Sequence, residues 1–516
     1  YAASGISNLG NEAVTITGSD VSSVANLKTI NNATSGALTL NTETQTGDLS
    51  GSAADLVAAF AGITGLTGTI TVSAGTVTAA DLTAIDTSVN TAVVATAVTT
   101  ITGTAAEVVD ALDNQSTIDT AANVAAQISD TANVSQTQTI INATGSATYS
   151  IQDTVSNIVT EATNGGGSAA LSGATAIAAT LSSGNTQIVL TGLSASADAT
   201  EFRFSSNSNV TLNLTELNTI TTSLSLNNAN SITLTLANGE NSSAVSSTGV
   251  DVVSIADGAN VTLSSSQAAI AKTVTDAGTG NFNNAGTVTV VANSGANLST
   301  MVGIDNVQLA NNAGVTLTNA QNSLISSATG TNSVTLSDAG SVIGNSAVET
   351  YTLANGTNTF TSNSSGHTVI GGTGADTFVG SSGADIFDGG LGTDKFTGSG
   401  GSDTFKFETG DSDISTYLTA DRITDFTTGA DSIDLVGVAL GNLTKVSATI
   451  DISTFTTQAS AAFDGTGADA YLTVTEFGFA YLGVDANESG SFDAGDIFIK
   501  LDDITSTSDL VTTDFT

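Results

Sequence analysis

"GGTGADTFVGSSGADIFDGGLGTDKFTGSGGSDTF", running from Gly371 to Phe405, is the stretch whose reading decides the fold. Asp376, Asp385, Asp394 and Asp403 recur at a spacing of nine, and so do Phe378, Phe387, Phe396 and Phe405. The unit is Gly-Gly-x-Gly-x-Asp-x-Phe-x, with Ser replacing one Gly in the second and fourth copies. Six residues form a tight turn in which glycine permits left-handed dihedrals and leaves carbonyls exposed. The other three form a short strand that points Phe inward. Two units close one coil, so turns on one side lie 18 residues apart: Asp376 stacks with Asp394 on one edge, Asp385 with Asp403 on the other. Repeats of this kind stack as a parallel β-helix. Stacked carboxylates repel unless a cation lies between the turns. Calcium takes six to eight hard oxygens, and each turn offers carbonyls plus one carboxylate. The candidate ligands are Gly371, Gly372, Gly374 and Asp376; Gly383 and Asp385; Gly389, Gly390, Gly392 and Asp394; and Gly401 and Asp403.

The register continues backwards in decayed form. Phe360 and Val369 fill the Phe position, and Asn358 and His367 fill the Asp position. These coils keep the core and lose most calcium affinity; His367, the single histidine, reads as a degenerate turn residue, with a metal ligand or a catalytic role as the alternative. On these motifs the chain resembles the hemolysin-type, or RTX, calcium-binding proteins over roughly 355–516, and "DRITDFTTGADSIDL" (421–435) resembles the segment that caps an RTX β-roll. The resemblance implies export by a type I system through an uncleaved C-terminal signal, and "SDLVTTDFT" has the acid, hydroxyl and apolar mix of such signals. Asp421, Asp425, Asp431 and Asp434 of the cap segment are further calcium candidates, with a solvated loop as the alternative.

A second site is expected at "DANESGSFDAGD", Asp485 to Asp496. It fits a twelve-position calcium loop: Asp485, Asn487 and Ser489 at positions 1, 3 and 5, Gly490 at 6, the Ser491 carbonyl at 7, Asp493 at 9 and Asp496 at 12. Asp in place of Glu at the last position lowers the expected affinity. The flanks "FAYLGV" and "IFIKL" read as strands, which makes this an EF-hand-like loop in a hairpin.

Composition agrees with a cation-binding, strand-rich chain. Of 516 residues, 48 are Asp or Glu and 8 are Lys or Arg, a formal charge of −40 that argues against nucleic acid or an anionic membrane as partner. Cysteine is absent, so neither disulfides nor thiol chemistry are available, and bound metal is the alternative staple. Proline is absent too, as long regular strand stacks require. The first residue is Tyr1 rather than Met, which points to processing or to a fragment; no signal segment and no 18-residue apolar run occur. Residues 366–516 hold 24 of the 48 acids and 13 of the 18 Phe, which places a boundary near 355.

Upstream, "TITGSDVSSVANLKTI" (15–30), "LSGSAADLVAAF" (49–60), "VSAGTVTAADLTAI" (72–85) and "ITGTAAEVVDAL" (101–112) share a strand, a Ser/Thr start and a small helix. Ser52 to Asp55, Thr78 to Asp81 and Thr104 to Glu107 are capping-box-like. Further on the theme becomes almost all β. Val-Thr-Leu recurs at Val210, Val261, Val315 and Val334 in steps that include two of about two coils each, and "SLSLNNANSITLTL" (223–236) alternates like half-buried strands. Each unit buries its apolar face only by stacking. The expectation is a mainly β chain: β-solenoid or sandwich-like repeats with short helices over 1–200, β-rich repeats over 201–354, an RTX parallel β-roll over 355–408, and a C-terminal β cap over 409–516.

Catalysis finds little support. A zinc-protease motif needs two histidines, and a Ser-His-Asp set has only His367 to use. The 354 upstream residues carry Lys28, Arg203 and Lys272 as their cations, too few for an acidic polysaccharide substrate. The leading expectation is a non-enzymatic, calcium-dependent, self-assembling extracellular protein, a surface-layer or filament subunit secreted to a bacterial cell surface. Its expected partners are copies of itself, with a cell-surface polysaccharide as a further candidate. An adhesin or glycan-binding module is the alternative, and a polysaccharide-acting β-helix enzyme stands behind both.

Overall fold

The computed structural model describes residues 9–516 apart from 17–22, 41–46, 64–65, 115, 165–168, 182–183, 192–198, 200, 205–209, 223, 228–230, 274–277, 284, 364, 413, 415, 417 and 448–451. Tyr1 and parts of the repeats at 15–30 and 223–236 lie outside the described residues. The chain divides into two compact units, Tyr1–Thr235 with Val245–Asp251, and Leu236–Ala244 with Val252–Thr516.

In the first unit a strand, a capped helix and a second strand recur. Helices Ala53–Phe60, Ala79–Ser88 and Ala105–Asp113 begin where the Ser52, Thr78 and Thr104 side chains accept the amide N–H of Asp55, Asp81 and Glu107. At Thr104 the Glu107 carboxylate returns the bond and completes the box. The strands stack in parallel, Ile70 on Val93 and Val93 on Ile118, so each apolar side chain meets its counterpart one coil on. Leu56, Leu82, Ile85 and Val108 are fully buried between helices and sheets. This parallel stacking decides for a solenoid over a sandwich. It departs from the rule at Gly184–Thr191, which runs antiparallel to both Ile177–Leu181 and Glu201–Phe204.

In the second unit, Val261–Ser264, Val288–Ala292, Asn306–Leu309 and Ile325–Ser327 pair in parallel. Two longer sheets follow. One contains Gly314–Leu317, Ser333–Leu336, Thr350–Thr352, Thr368–Thr373, Ile386–Leu391, Thr404–Phe407 and Ser432–Leu435. The other contains Ser341–Ile343, Thr359–Thr361, Thr377–Val379, Lys395–Thr397 and Asp421–Ile423. The chain alternates between them every nine residues across the nonapeptides, which is the β-roll. Val261 and Val315, expected two coils apart, belong to different sheets. The divisions expected at 200/201 and 354/355 fall inside sheets: Glu201–Phe204 pairs with Gly184–Thr191, and Thr350–Thr352 pairs with Thr368–Thr373.

The cap prolongs the second sheet. Asp421–Ile423 pairs in parallel with Ile497–Leu501, which pairs antiparallel with Ala480–Val484, and that strand pairs with Ala468–Val474. The helix Ile452–Ala462, which the expected C-terminal β cap lacked, buries Phe455 and Ala459 against Tyr471, Tyr481, Phe492 and Phe498. The last residues close the other sheet. The Thr516 N–H donates to the Ile433 carbonyl, and Asp514 accepts from the Thr428 hydroxyl and the Gly429 N–H. Among the described residues no helix is long and apolar enough to cross a membrane.

Candidate calcium sites

The nonapeptide phenylalanines fill the roll. Phe378, Phe387, Phe396 and Phe405 are at most 1 % exposed. Phe378 stacks on Phe396 at 5.1 Å and 11°, and Phe387 lies 6.3 Å from Phe405, so like positions meet 18 residues apart. That stacking fixes the register of the turns, and the turns fix the aspartates.

Each aspartate immediately precedes a strand and reaches back one coil. On one edge, Asp376 Oδ1 accepts the Asn358 N–H at 2.7 Å, Asp394 Oδ1 the Asp376 N–H at 2.7 Å, and Asp421 Oδ1 the Asp394 N–H at 2.8 Å. On the other, Asp385 Oδ1 takes His367 N–H at 2.6 Å, Asp403 Oδ1 takes Asp385 N–H at 2.8 Å, and Asp431 Oδ1 takes Asp403 N–H at 3.0 Å. Two carboxylate ladders result, each buried along its length.

Oδ2 is the informative atom. In Asp376 and Asp394 it is buried and has no hydrogen-bond partner. A Cβ added at Gly371 would meet Asp376 Oδ2 at 2.9 Å and collide with the Gly389 carbonyl; one at Gly389 would run into Asp394 Oδ2. The glycines therefore keep a space into which an unpartnered carboxylate oxygen and a neighbouring carbonyl both project. Asn358 shows what that space faces. Its Nδ2 donates to the carbonyls of Ala354 and Gly356, each at 2.9 Å, four and two residues before it. The same offsets from Asp376 are Gly372 and Gly374, and from Asp394 they are Gly390 and Gly392. In the decayed coil an amide satisfies the carbonyls; in the intact coils a carboxylate stands there instead, and the donor must come from elsewhere. A divalent cation supplies that positive charge.

The electrostatics agree. Burial, and after it the charges of Asp421, Asp376 and Asp411, push the Asp394 carboxyl up to about 8. Burial raises Asp421 to about 7, Asp403 to about 6, and Asp376 in the same direction. Without a cation these groups resist ionisation.

The second edge is built differently. Asp385 has four donors: the Ser362 hydroxyl at 2.5 Å and the His367 N–H on Oδ1, and the Ser381 N–H at 2.8 Å and hydroxyl at 3.2 Å on Oδ2. Ser381 is the residue that replaces Gly in the second copy. Ser362, His367 and Asp385 thus meet, but Ser362 lies between the other two, its oxygen 2.5 Å from His367 Nδ1, and all three are buried. The imidazole bridges no nucleophile to an acid, so this is a turn contact. Burial holds the His367 pKa below its usual value.

Of the cap acids, Asp421 and Asp431 are the next rungs of the ladders. Asp425 instead accepts the N–H groups of Gly398 and Ser399, and Asp434 lies 3.9 Å from Lys406 on the outer face. The Asp485–Asp496 loop connects the antiparallel strands Ala480–Val484 and Ile497–Leu501, in the hairpin expected. Asn487 Nδ2 and Ser489 Oγ both bond the Asp493 carboxylate, at 2.8 and 2.9 Å, and Ser489 Oγ also meets the Ser491 carbonyl at 2.9 Å. Among the described residues no three acidic or histidine side chains converge on one point. Carbonyl, amide and hydroxyl oxygens therefore complete every candidate site, as a hard cation permits.

A family model, the RTX calcium-binding nonapeptide repeat, matches four copies over residues 370–405. The chain carries RTX repeats. Its repeats bind calcium, and the matched span coincides with the coils whose carboxylates carry the unpartnered oxygens. No curated protein matches the chain.

Proposed function

We propose that this RTX protein is a non-catalytic, self-assembling structural subunit of a bacterial cell surface, a surface-layer or filament protein, exported unfolded through a type I system and folded outside. The observation that carries the reading is the buried carboxylate ladder. Asp376 and Asp394 project unpartnered oxygens into a coil stack that is otherwise tightly packed. Where calcium is scarce those charges oppose folding. At the ~10⁻⁴–10⁻³ M at which extracellular modules bind it, calcium makes binding free energy into folding free energy.

Repetition supports the structural role: both units are built of stacked coils. The test is negative-stain electron microscopy of the purified chain with ~5 mM calcium, above the extracellular-module range, and with chelator. Filaments or sheets that appear only with calcium are expected. Dispersed compact particles in both conditions would overturn assembly. A glycan-binding adhesin is the second reading, favoured by an open groove lined by Asn133, Gln138, Asp153, Asn157 and Glu161, whose amides and carboxylates suit sugar hydroxyls.

A further inference from the structure

Outside the nonapeptides, one buried carboxylate oxygen among the described residues has no hydrogen-bond partner. Asp496 is fully buried, its Oδ2 accepts the Asp493 N–H at 2.8 Å, and its Oδ1 has no hydrogen-bond partner. It closes the loop that begins at Asp485. An Asp- and Gly-rich turn that merely caps its own backbone accounts for Asp485, whose two oxygens accept the N–H groups of Ser489 at 2.8 Å and Gly490 at 2.9 Å. It does not account for Asp496. A carboxylate oxygen sealed from water without a donor is costly, more so when charged, and nearby Asp485 and Asp493 add repulsion.

The alternate residues of the loop are tied to one another. Asn487 Nδ2 and Ser489 Oγ each donate to the Asp493 carboxylate, and Ser489 Oγ also reaches the Ser491 carbonyl. The intervening residues are turned out or used elsewhere. Glu488 adopts φ +54° and Gly490 φ +73°, left-handed conformations that reverse the chain. Phe492 is anchored, its N–H donating to Ser460 Oγ at 2.9 Å and its ring packed among Phe455, Phe463 and Phe498. Polar groups from positions 3, 5, 7 and 9 are thereby linked, and the buried acids at positions 1 and 12 bracket them at the two ends of the loop. This is the alternation a twelve-residue calcium loop uses.

We propose that Asp485–Asp496 is a calcium site separate from the nonapeptides, with Asp496 as the ligand that ties it to the sheet. The proposal rests on the calcium reading of the chain but not on its assembly. Its place in the fold gives it a role. Asp496 leads directly into Ile497–Leu501, the strand that pairs with Asp421–Ile423. That partner carries Asp421, the last rung on the Asp376–Asp394 edge. An ion here orders the strand on which the final coil of the roll is laid.

The experiment uses the full chain. Bound calcium is counted by equilibrium dialysis, and hydrogen exchange of 480–501 and of 371–405 is followed across a calcium titration. For Asp496→Asn we expect one ion fewer per chain and loss of calcium-dependent protection in the loop, with the nonapeptides still protected. Should that variant fail to fold, Asn487→Ala, at an exposed position, is expected to move the loop's calcium midpoint up about tenfold, while a repeat variant such as Asp394→Asn leaves that midpoint in place. An unchanged ion count in Asp496→Asn, or a wild-type loop whose exchange ignores calcium while the repeats respond, overturns the proposal. A wild-type chain that binds no calcium at all would instead overturn the calcium reading as a whole.

Discussion

Replacing Asp394 by Asn separates the two things its carboxylate does. Oδ1 accepts the Asp376 N–H at 2.7 Å, and an amide oxygen can keep that bond. Oδ2 is buried and unpartnered, and the group's pKa is pushed by burial to about 8 from 3.8. At pH 7 the calcium-free roll must therefore protonate or bury a charge at this position. The cost is about 4 kcal/mol, from roughly three pKa units at 1.36 kcal/mol each. Asn removes that cost, and its Nδ2 takes the place that Asn358 Nδ2 already occupies against two turn carbonyls. We expect Asp394→Asn to be more stable than wild type in chelator, by up to that amount, a rise in Tm of about 5–10 °C for a unit of this size. In calcium the advantage shrinks or reverses, because wild type gains binding free energy that the variant has lost. Differential scanning calorimetry at pH 7, with chelator and with calcium, reads both effects. A lower Tm in chelator, or an unchanged gap between the two conditions, would refute the reasoning.

Asp385→Asn is expected to behave in the opposite way: its Nδ2 would face the Ser381 N–H where Oδ2 accepted it, so the variant loses about 1–3 kcal/mol in chelator and in calcium alike, measured by the same melts. For pH, the folded values of Asp394, Asp421 and Asp403 lie above 3.8, at about 8, 7 and 6, so the calcium-free native state holds extra protons. Their contribution to stability is complete below about pH 4 and is lost as pH rises towards 8. Protons and calcium then compete for the folded sites: the calcium that half-saturates the folded chain, followed by equilibrium dialysis, should rise from pH 8 to pH 5, while the calcium needed for half-folding, followed by circular dichroism, should not rise, because protonation already stabilises the calcium-free fold. Phe396→Ala opens a cavity beneath Phe378 and beside Phe405, and should cost about 3–5 kcal/mol with or without calcium in denaturant unfolding.

The roll was legible because its information is local. Nine-residue spacing sets both the strand that hides Phe and the turn that presents Asp, and parallel stacking then forces the 18-residue ladders. The helix starts at Ser52, Thr78 and Thr104 were legible for the same reason: a cap bonds three residues on. Partners set by the insertion of whole segments were harder to read. Asp421 follows Asp394 by 27 residues and Asp431 follows Asp403 by 28, so the ladder's last rungs fall out of the repeat frame although Asp421 begins a strand and Asp431 precedes one. The saturation of Asp385 depends on Ser362, from the preceding coil, and a single Gly-to-Ser change at 381, which spacing treats as noise. The cap helix carried a signal, Phe455, Ala459 and Phe463 at intervals of four, masked by β-branched threonines around it.

The closure at residues 510–516 has a consequence for how the roll is finished. Leu510 is fully buried with its carbonyl held by the Lys445 ammonium, Asp514 is 1 % exposed, and Thr516 extends the sheet at Ile433. Asp514 also takes the Thr428 hydroxyl and the Gly429 N–H, just before Asp431, the rung that receives Asp403. Peeling this segment away strips an acceptor from the turn that sets the ladder's end. It works as a latch: it seats only on a finished coil, and the coil is finished only when it seats.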